Sequence, residues 1–329
     1  MIEHSRHALV GTIGATYITL AIADIDELSF ENFALLNTAD FSDPMQAVER
    51  YLKSVPRCPN KVALAVSGDV TGDAAVLSHN GWKLGKNDVR AVTAADHVKL
   101  INDFEALALS LPSLGSYETI AIHPGEPVKH ATRLVIYSGT DLGVAALIHD
   151  GSRWVPVRGE AGRMAFAVPP AELDVTAAMK GTFVSAGDVF SGRGLVAVYN
   201  ALTAAAGGKL PAFTARQIAE AGQGKDDPVA QQALQLITTW LGRFAGDMAL
   251  AFGARGGVYL TGGFASNIVP ALKTGHFNQA FEDKGDARDV LRATPVSVIK
   301  IGADAAMRGA ALALADSLPV RAVPRHAAR

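Results

Sequence analysis

Residues 8–23 read ALVGTIGATYITLAIA, two short apolar runs separated by a turn of glycine and threonine. The stretch is apolar enough to suggest a membrane helix, but Gly11 and Gly14 interrupt it and its second half is rich in β-forming residues. Two strands, Ala8–Val10 and Ile18–Ala23, joined by a tight turn satisfy this pattern better. The sequence therefore predicts a β-hairpin here.

The same arrangement returns at residues 133–148, RLVIYSGTDLGVAALI. A strand over Arg133–Tyr137 runs into a turn over Ser138–Gly143, and a second strand follows over Val144–Ile148. Two copies of strand, turn and strand indicate an internal repeat. We therefore expect a duplicated βββαβα layout in which each half begins with its own hairpin.

The rest of the chain supplies the helices and strands that such halves need. Early prolines and apolar residues three or four apart predict helices over Pro44–Ser54 and Pro228–Phe252. Short apolar runs predict buried strands over Val62–Val66 and Val98–Ile101, and a last helix is expected over Asp304–Ala315. A length of 329 residues suits two domains.

Composition limits the classes of function. The formal net charge is -2, so nothing in the charge balance favours a nucleic-acid or membrane partner. The sequence has one cysteine, Cys58, which excludes an internal disulfide and a cysteine-rich metal site. A cytoplasmic, reducing location without a signal peptide is the simplest interpretation.

Five further strings point to a known family when they are taken together. In chain order they are Leu100-Ile101-Asn102-Asp103-Phe104, Gly159-Glu160-Ala161-Gly162, Ser191-Gly192-Arg193-Gly194-Leu195, Gly242-Arg243-Phe244 and Ala280-Phe281-Glu282-Asp283-Lys284-Gly285. With the two hairpins and the late pair Gly262-Gly263, they resemble the bacterial glucokinase family of the sugar kinase–actin–Hsp70 superfamily. The resemblance covers almost the whole chain.

This resemblance implies a two-domain α/β fold of the sugar kinase/actin type, which is a duplicated ribonuclease H-like fold with an interdomain cleft. The small α/β domain is expected over residues 1–112 together with 304–329. The large α/β domain is expected over residues 113–303. A homodimer is the family expectation.

The implied activity is ATP- and Mg²⁺-dependent phosphorylation of glucose, or of a related hexose, at the 6-hydroxyl. Such a kinase uses a carboxylate beside the reacting hydroxyl as general base. Asp103 matches that base, and Asn102, Asp103 and Glu160 match residues that bind the sugar. On the residues alone, an Asn-Asp pair after a strand also serves as the cap of the next helix. A Gly-Glu-Ala-Gly string also occurs in ordinary exposed loops.

The two hairpin turns and the late glycine pair form the expected nucleotide site. Backbone N–H groups in such turns can hold phosphate oxygens. The expected contacts are Gly11, Thr12, Gly14, Ala15 and Thr16 in the first turn, Gly139, Thr140 and Asp141 in the second, and Gly262 and Gly263 beside the adenosine.

The phosphate turns depart from the family pattern. Thr12 replaces a carboxylate that helps to organise Mg²⁺, and Tyr17 replaces a small amide. Ala15 adds a methyl group where the backbone approaches phosphate or needs a positive φ. Asp141 replaces a glycine and repels phosphate unless a cation lies between them, so one hypothesis is that Asp141 itself holds Mg²⁺. These changes predict weak or lost glucokinase activity.

The expected sugar pocket also departs from the pattern. Arg163 stands in place of a histidine and Gly187 in place of a glutamate, which moves the local charge toward positive; the neighbouring Asp188 is expected to point elsewhere. Arg163 either pairs with Glu160 or Asp103 and fills the pocket, or binds an anionic sugar. The alternatives to a glucokinase are a non-catalytic sugar- or sugar-phosphate-binding regulatory protein on the same fold, and a kinase for another sugar.

Overall fold

The computed structural model describes residues 6–56, 58–139, 141–169, 172–177, 184–224, 226–300 and 302–317. The chain divides into two compact units. Unit 1 is formed by the chain up to Ala106 and again from Ala306, and unit 2 is formed by Leu107–Ala305. The chain passes between the two units twice, and each boundary falls inside a helix. From the sequence, the first boundary was expected after its helix, near residue 112.

Unit 1 contains a five-stranded mixed sheet and a small antiparallel sheet. Its described strands are β1 (His7–Ile13), β2 (Tyr17–Asp24), β3 (Ser29–Asn37), β4 (Lys61–Val66), β5 (Gly68–Thr71), β6 (Ala74–Leu77), β7 (Lys83–Gly85) and β8 (His97–Asn102), and its helices α1 (Pro44–Leu52), α2 (Lys86–Thr93) and the start of α3 (Asp103–Ser110). The strand orders are β3-β2-β1-β4-β8 and β5-β6-β7.

The hairpin expected near the start of the chain is confirmed. β1 and β2 pair antiparallel, and the turn lies at residues 14–16. Gly11 lies within β1, where a Cβ would come 2.5 Å from a Leu20 methyl carbon and 2.6 Å from the Thr19 carbonyl oxygen. A glycine is therefore required at position 11 by the packing of the sheet itself.

Parallel pairing gathers three strand ends at one edge of this sheet. β1 pairs with β4 and β4 with β8, so that Ile13 lies opposite Val66, and Val66 opposite Asn102. The first glycine turn follows Ile13, and α3 begins directly after Asn102. The topology of unit 1 therefore brings the first turn and the Asn102-Asp103 pair to the same edge.

Unit 2 contains one six-stranded sheet and most of the helices. Its described strands are β9 (Thr119–His123), β10 (Arg133–Ser138), β11 (Leu142–His149), β12 (Trp154–Gly159), β13 (Val258–Thr261) and β14 (Val296–Ile299), and its helices α4 (Leu173–Ala177), α5 (Ala186–Val189), α6 (Gly192–Ala205), α7 (Ala215–Gln223), α8 (Pro228–Phe252), α9 (Gly263–Asn267), α10 (Val269–Leu272), α11 (His276–Glu282) and α12 (Arg288–Arg292). Helix α13 (Gly302–Ser317) then enters unit 1.

The two large sheets repeat one topology. The sheet of unit 2 has the order β12-β11-β10-β13-β14-β9, and its first five strands repeat the order and directions of β3-β2-β1-β4-β8. The protein is therefore a duplicated, mixed α/β structure, as the sequence repeat predicted. The hairpin β10–β11 does not open unit 2, however, because β9 precedes it and pairs with β14 at the far edge. The expectation that the hairpin supplies the first two strands of its domain is wrong for this half.

Helix α8 is the centre of the core of unit 2. Asp227 accepts a hydrogen bond from the Ala230 N–H at its start, and Gly253, with φ of 60°, ends it. On the face toward α11, a Cβ at Gly242 would overlap the Phe277 carbonyl oxygen. No helix within the described ranges is long and apolar enough to cross a membrane.

An ion pair ties the segment before α4 to α8. The Glu172 carboxylate accepts two hydrogen bonds from Arg243, at 2.6 and 3.1 Å, and a third from the Trp240 indole N–H. The side chains of Glu172 and Arg243 are 21% and 28% exposed. Burial raises the pKa of Glu172, but the bonds from Arg243 and Trp240 outweigh it and leave the pKa lowered.

Helix α13 reaches unit 1 by close backbone contact with α3. Gly309 faces Ala106, and a Cβ at position 309 would overlap the Ala106 carbonyl oxygen. Since α3 begins at Asp103, this contact supports the helix that carries the expected base. Because Gly309 has no side chain, the backbone of α13 can lie directly against α3.

We predict that Gly309→Ala destabilises the protein by about 1–3 kcal/mol, because the added methyl group must push the two helices apart. Gly263→Ala is the matched control, since an added Cβ there meets no atom within 4 Å. Thermal and urea unfolding measure both variants. Equal stability of the two would contradict the described packing of α13 on α3.

We predict that Glu172→Gln lowers the free energy of unfolding at neutral pH by about 2 kcal/mol, because it weakens hydrogen bonds to charged groups. The folded-state pKa of Glu172 is lowered, so its stabilisation is present above the unfolded pKa of roughly 4.3 and is lost as pH falls through the folded value. The difference between wild type and variant should therefore shrink in acid. Glu126→Gln, at an exposed position, is the control, and a difference that is independent of pH would exclude this assignment.

Candidate functional site

The Asn102 side chain stabilises the junction between β8 and α3 in unit 1 by hydrogen bonds. Its side chain is 5% exposed, and its amide oxygen accepts hydrogen bonds from the N–H groups of Phe104 (2.9 Å) and Glu105 (3.3 Å). Its amide nitrogen donates to the Gly68 carbonyl oxygen at 2.9 Å. Asn102 therefore caps α3, as one reading of the sequence expected, and one of its two amide hydrogens is left over after the bond to Gly68.

Asp103 follows as the first residue of α3. It is partly exposed, and its Oδ1 accepts a hydrogen bond from the Phe104 N–H at 3.0 Å. The positive end of the helix dipole favours a negative charge at this position. A partly exposed carboxylate at a helix start, on a junction held by Asn102, can accept a proton from a bound hydroxyl group.

The first glycine turn accepts its substitutions without backbone strain. The Gly14 N–H donates to the Tyr17 carbonyl oxygen at 3.0 Å, and the buried Thr38 donates its hydroxyl hydrogen to the Gly14 carbonyl oxygen at 2.9 Å. Ala15 is exposed and is not among the residues with positive φ. The possibility that position 15 needs a positive φ is therefore wrong, while the approach of its methyl group to phosphate stays a prediction. Thr12 precedes this turn, within β1, and is partly exposed.

Two further turns meet in unit 2. The Gly139 N–H donates to the Asp141 carbonyl oxygen at 3.1 Å, while Thr140 lies outside the described residues. Gly262 has φ of 98°, and a Cβ there would overlap the Ser138 carbonyl oxygen. Glycine is thus needed at position 262 for both its conformation and its contact. The second phosphate turn and the expected adenosine turn pack directly on each other.

A cavity of about 660 Å³ opens beside these turns. Its lining combines backbone at glycine positions, two basic side chains and an apolar wall: Tyr137, Gly139, Gly192, Arg193, Ala215, Arg216, Ala219, Gly263, Phe264, Asn267 and Ile268. The volume and the mainly apolar lining are those of a small-molecule site. A flat heterocyclic base suits the apolar wall, and phosphate suits the glycine turns. The residues of unit 2 therefore fit a nucleotide.

Most residues of this cavity wall were not predicted from the sequence. Arg193 stands in a string that the resemblance singled out, but it was not assigned to the site. Arg216, Phe264, Asn267 and Ile268 belong to no motif and show the ordinary spacing of helices. Their role depends on how α6, α7 and α9 come together, which no local pattern records.

Three of the departures from the family pattern lie side by side. The Arg163 Nη2 lies 3.6 Å from Asp141 Oδ2, and Asp141 Oδ1 accepts a hydrogen bond from the Leu142 N–H at 2.8 Å. A Cβ at Gly187 would come 3.0 Å from the same Oδ1. Arg163 is thus paired with Asp141 and not with Glu160, the partner in unit 2 that the sequence analysis weighed.

The two acidic neighbours have different roles. Asp188 closes a capping box, because its carboxylate accepts from the Ser185 N–H (2.9 Å) and hydroxyl (2.6 Å); these bonds lower its pKa. Glu160 is exposed, and its carboxylate makes no hydrogen bond or ion pair with the residues that the structure describes. Asp188 therefore does not replace the missing glutamate, whereas Glu160 can accept from a ligand.

Asp141 is a poor candidate for the Mg²⁺ ligand that the sequence analysis suggested. One oxygen is bonded to the Leu142 N–H, and the other faces the Arg163 guanidinium, which disfavours a second cation. Across the described ranges, no cluster of three or more His, Cys, Asp or Glu side chains could hold a metal ion. In kinases Mg²⁺ is held by substrate phosphates and water together with one or two carboxylates.

Known proteins match most of the length of this chain. The family model described as glucokinase matches residues 9–317. A glucokinase of Mesorhizobium japonicum is 39% identical over 297 residues, which cover 88% of this chain and 86% of that protein.

Solved structures show the same fold. A glucokinase from an Antarctic psychrotroph superposes with a TM-score of 0.85 at 28% identity, over 95% of this chain and 99% of that one. A ROK family glucokinase from Streptomyces griseus, in complex with glucose and AMPPNP, superposes with a TM-score of 0.64 at 20% identity, over 93% and 98%. The second likeness concerns the fold, which is the two-domain sugar kinase/actin type. By its family match and its relatives, the chain belongs to the glucokinase family.

Proposed function

We propose that this protein transfers the γ-phosphoryl group of ATP to the 6-hydroxyl of glucose. The observation that carries the proposal is the placement of Asp103, a partly exposed carboxylate at the start of α3 on a junction that Asn102 holds. Membership of the glucokinase family supports the same reaction. A homodimer, which the family resemblance implies, and a cytoplasmic location, which the single cysteine favours, complete the proposal.

Asp103 acts as general base in this reaction. Its carboxylate takes the proton of the glucose 6-hydroxyl as the oxygen attacks the γ-phosphorus of ATP. An oxygen–phosphorus bond forms to the sugar, the bond to the bridging oxygen breaks, and ADP leaves. Asn102 positions the base by capping the start of α3 with its amide oxygen. Its second amide hydrogen is donated to a sugar hydroxyl.

The nucleotide is held by unit 2. The cavity of about 660 Å³ takes the adenosine, with Phe264 and Ile268 in its apolar wall. Gly139 presents backbone to the phosphates and Gly263 lies beside the adenosine, while Arg193 adds a basic side chain to the same cavity; Arg216 is ion-paired with Glu220. A magnesium ion bound with ATP would neutralise charge on the phosphates, and the described residues offer no cluster of carboxylates to hold it.

The sugar is expected to be neutral. Arg163 raised the hypothesis of an anionic sugar, but its charge is opposed by Asp141 at 3.6 Å. Glu160 lies on the same turn as Arg163. The carboxylates of Asp141 and Glu160 and the guanidinium of Arg163 together carry a net charge of one negative unit. An anionic sugar would be repelled by that balance, so glucose is preferred to glucose 6-phosphate or gluconate.

We predict that Asp103→Asn lowers kcat by roughly 10²–10⁴-fold, the usual contribution of a general base. Glucose binding should change little, since the amide keeps the size and polarity of the side chain. Coupled ADP release measures turnover, and calorimetry measures binding. Asp26→Asn, an exposed aspartate in the same unit, is the control. An unchanged rate would exclude Asp103 as the base, and glucose binding without any turnover in the wild type would favour the regulatory alternative.

We predict that the wild-type rate is low and that Thr12→Asp raises it. Residues 11–17, the end of β1, the turn after it and the first residue of β2, contain no carboxylate, and Thr12 stands where the family uses one to organise Mg²⁺. The wild-type kcat should fall below about 10 s⁻¹, the median for enzymes, and the variant should need less Mg²⁺ for half-maximal rate. Thr71→Asn, at an exposed position of unit 1 outside this turn, controls for a general effect of substitution. A rate above the median, with no change in Thr12→Asp, would refute this interpretation.

A further inference from the structure

Three segments of unit 2 meet with no side chain between them. A Cβ at Gly162 would overlap the Leu142 carbonyl oxygen, and a Cβ at Gly187 would lie 3.1 Å from the Gly162 carbonyl oxygen. The start of β11 is therefore in backbone contact with the turn after β12, and that turn with the start of α5.

The Asp141 carboxylate lies beside Gly187. Its Oδ1 lies 3.0 Å from where the Cβ of residue 187 would stand, a separation tighter than nine in ten real Cβ contacts, so Asp141 would have to move by a few tenths of an ångström. A carboxylate at position 187 would add repulsion between like charges to this close contact. A side chain at position 187 therefore competes with Asp141 for the same space.

Both oxygens of Asp141 are oriented by neighbours. The Leu142 N–H holds Oδ1, and the Arg163 guanidinium faces Oδ2. The two side chains are 58% and 75% exposed, and a pair so exposed adds little to stability. The pair is therefore open to solvent, and it offers an acceptor, held at Oδ1 by Leu142, and a donor to a ligand.

A polyol matches this arrangement. A hydroxyl group donates its hydrogen to a carboxylate and accepts from a guanidinium, and the exposed Glu160 carboxylate on the same turn as Arg163 adds a second acceptor. Phosphate and carboxylate ligands would suit Arg163 but not the two carboxylates beside it. The site thus favours a neutral molecule with adjacent hydroxyls.

We propose that Asp141 is a sugar-binding and specificity-determining residue of this protein, positioned by Arg163, and that Gly187 lacks a side chain in order to leave it room. The inference rests on the proposed hexose kinase function. It assigns to Asp141 contact with the sugar hydroxyls and not with Mg²⁺.

Calorimetry with glucose, without ATP, tests the role of Asp141 apart from turnover. Asp141→Asn and Asp141→Ala should weaken glucose binding by roughly ten- to a hundredfold, the usual loss for hydrogen bonds to a charged group. Asp286→Asn, at an exposed position of unit 2, is the control. Unchanged glucose binding in both Asp141 variants would overturn the inference. If these variants instead bind Mg·ATP more weakly, Asp141 is a Mg²⁺ ligand.

A double-mutant cycle tests the competition for space between positions 141 and 187. Gly187→Glu should weaken glucose binding, because its carboxylate meets Asp141. Asp141→Gly combined with Gly187→Glu keeps one carboxylate in the same space, so it should bind glucose more tightly than either single variant. If the two effects simply multiply, the positions are independent and the inference fails.

A second cycle tests Arg163 as a positioning residue. Arg163→Ala should raise the KM for glucose with little change in kcat, Arg163→Lys should restore part of the loss, and the combination with Asp141→Ala should be no worse than Asp141→Ala by itself. A further loss in the combination would show that Arg163 acts independently of Asp141. If the wild type binds no hexose, the proposed function and the inference fall together; if it phosphorylates glucose and Asp141→Ala binds normally, the inference alone falls.

Discussion

Backbone contact at glycine is the constraint on which both halves of this molecule depend. Gly309 lets α13 lie against α3, Gly262 lets the late turn lie against Ser138, and Gly162 lets the turn after β12 lie against Leu142. A methyl group at any of these positions would overlap a main-chain carbonyl oxygen, an atom that cannot move without its strand or helix. The functional side chains are therefore carried by segments whose separation is set by main chain, which leaves little freedom in where those side chains stand.

Most of the fold could be predicted from local patterns. The hairpins, the strand before Asn102 and the limits of α8 follow from apolar runs, an aspartate cap and terminal glycine, because each signal acts within a few neighbouring residues. The βββαβα layout calls for the third strands β3 and β12, but their ranges were not located, and β9 was not anticipated. Their places at the edges of sheets depend on partners far away in the chain, and edge strands need less regular patterns of buried residues.

The site was predictable to the extent that its motifs are contiguous. Asn102, Asp103 and the glycine turns stand in recognisable strings, but the strings did not show that Arg163 faces Asp141 or that Gly187 lies beneath it. Counting Arg163 and Gly187 without Asp141 made the expected pocket too positive. The net charge of this pocket depends on which turns fold next to one another. The turn after β10, which carries Asp141, is separated in sequence from the segments that carry Arg163 and Gly187. The substitutions at these three positions are better understood as one change than as separate losses.

The return of α13 to unit 1 has a consequence for how the protein is made. Unit 2 is continuous in sequence, whereas unit 1 needs a helix that is translated after all of unit 2. The ribosome therefore releases every residue of unit 2 before α3 can contact Gly309 of α13. A nascent chain can have a folded unit 2 while α3, which carries the proposed base, still lacks this contact. The fold of unit 1 is therefore finished only after the last helix has docked on α3.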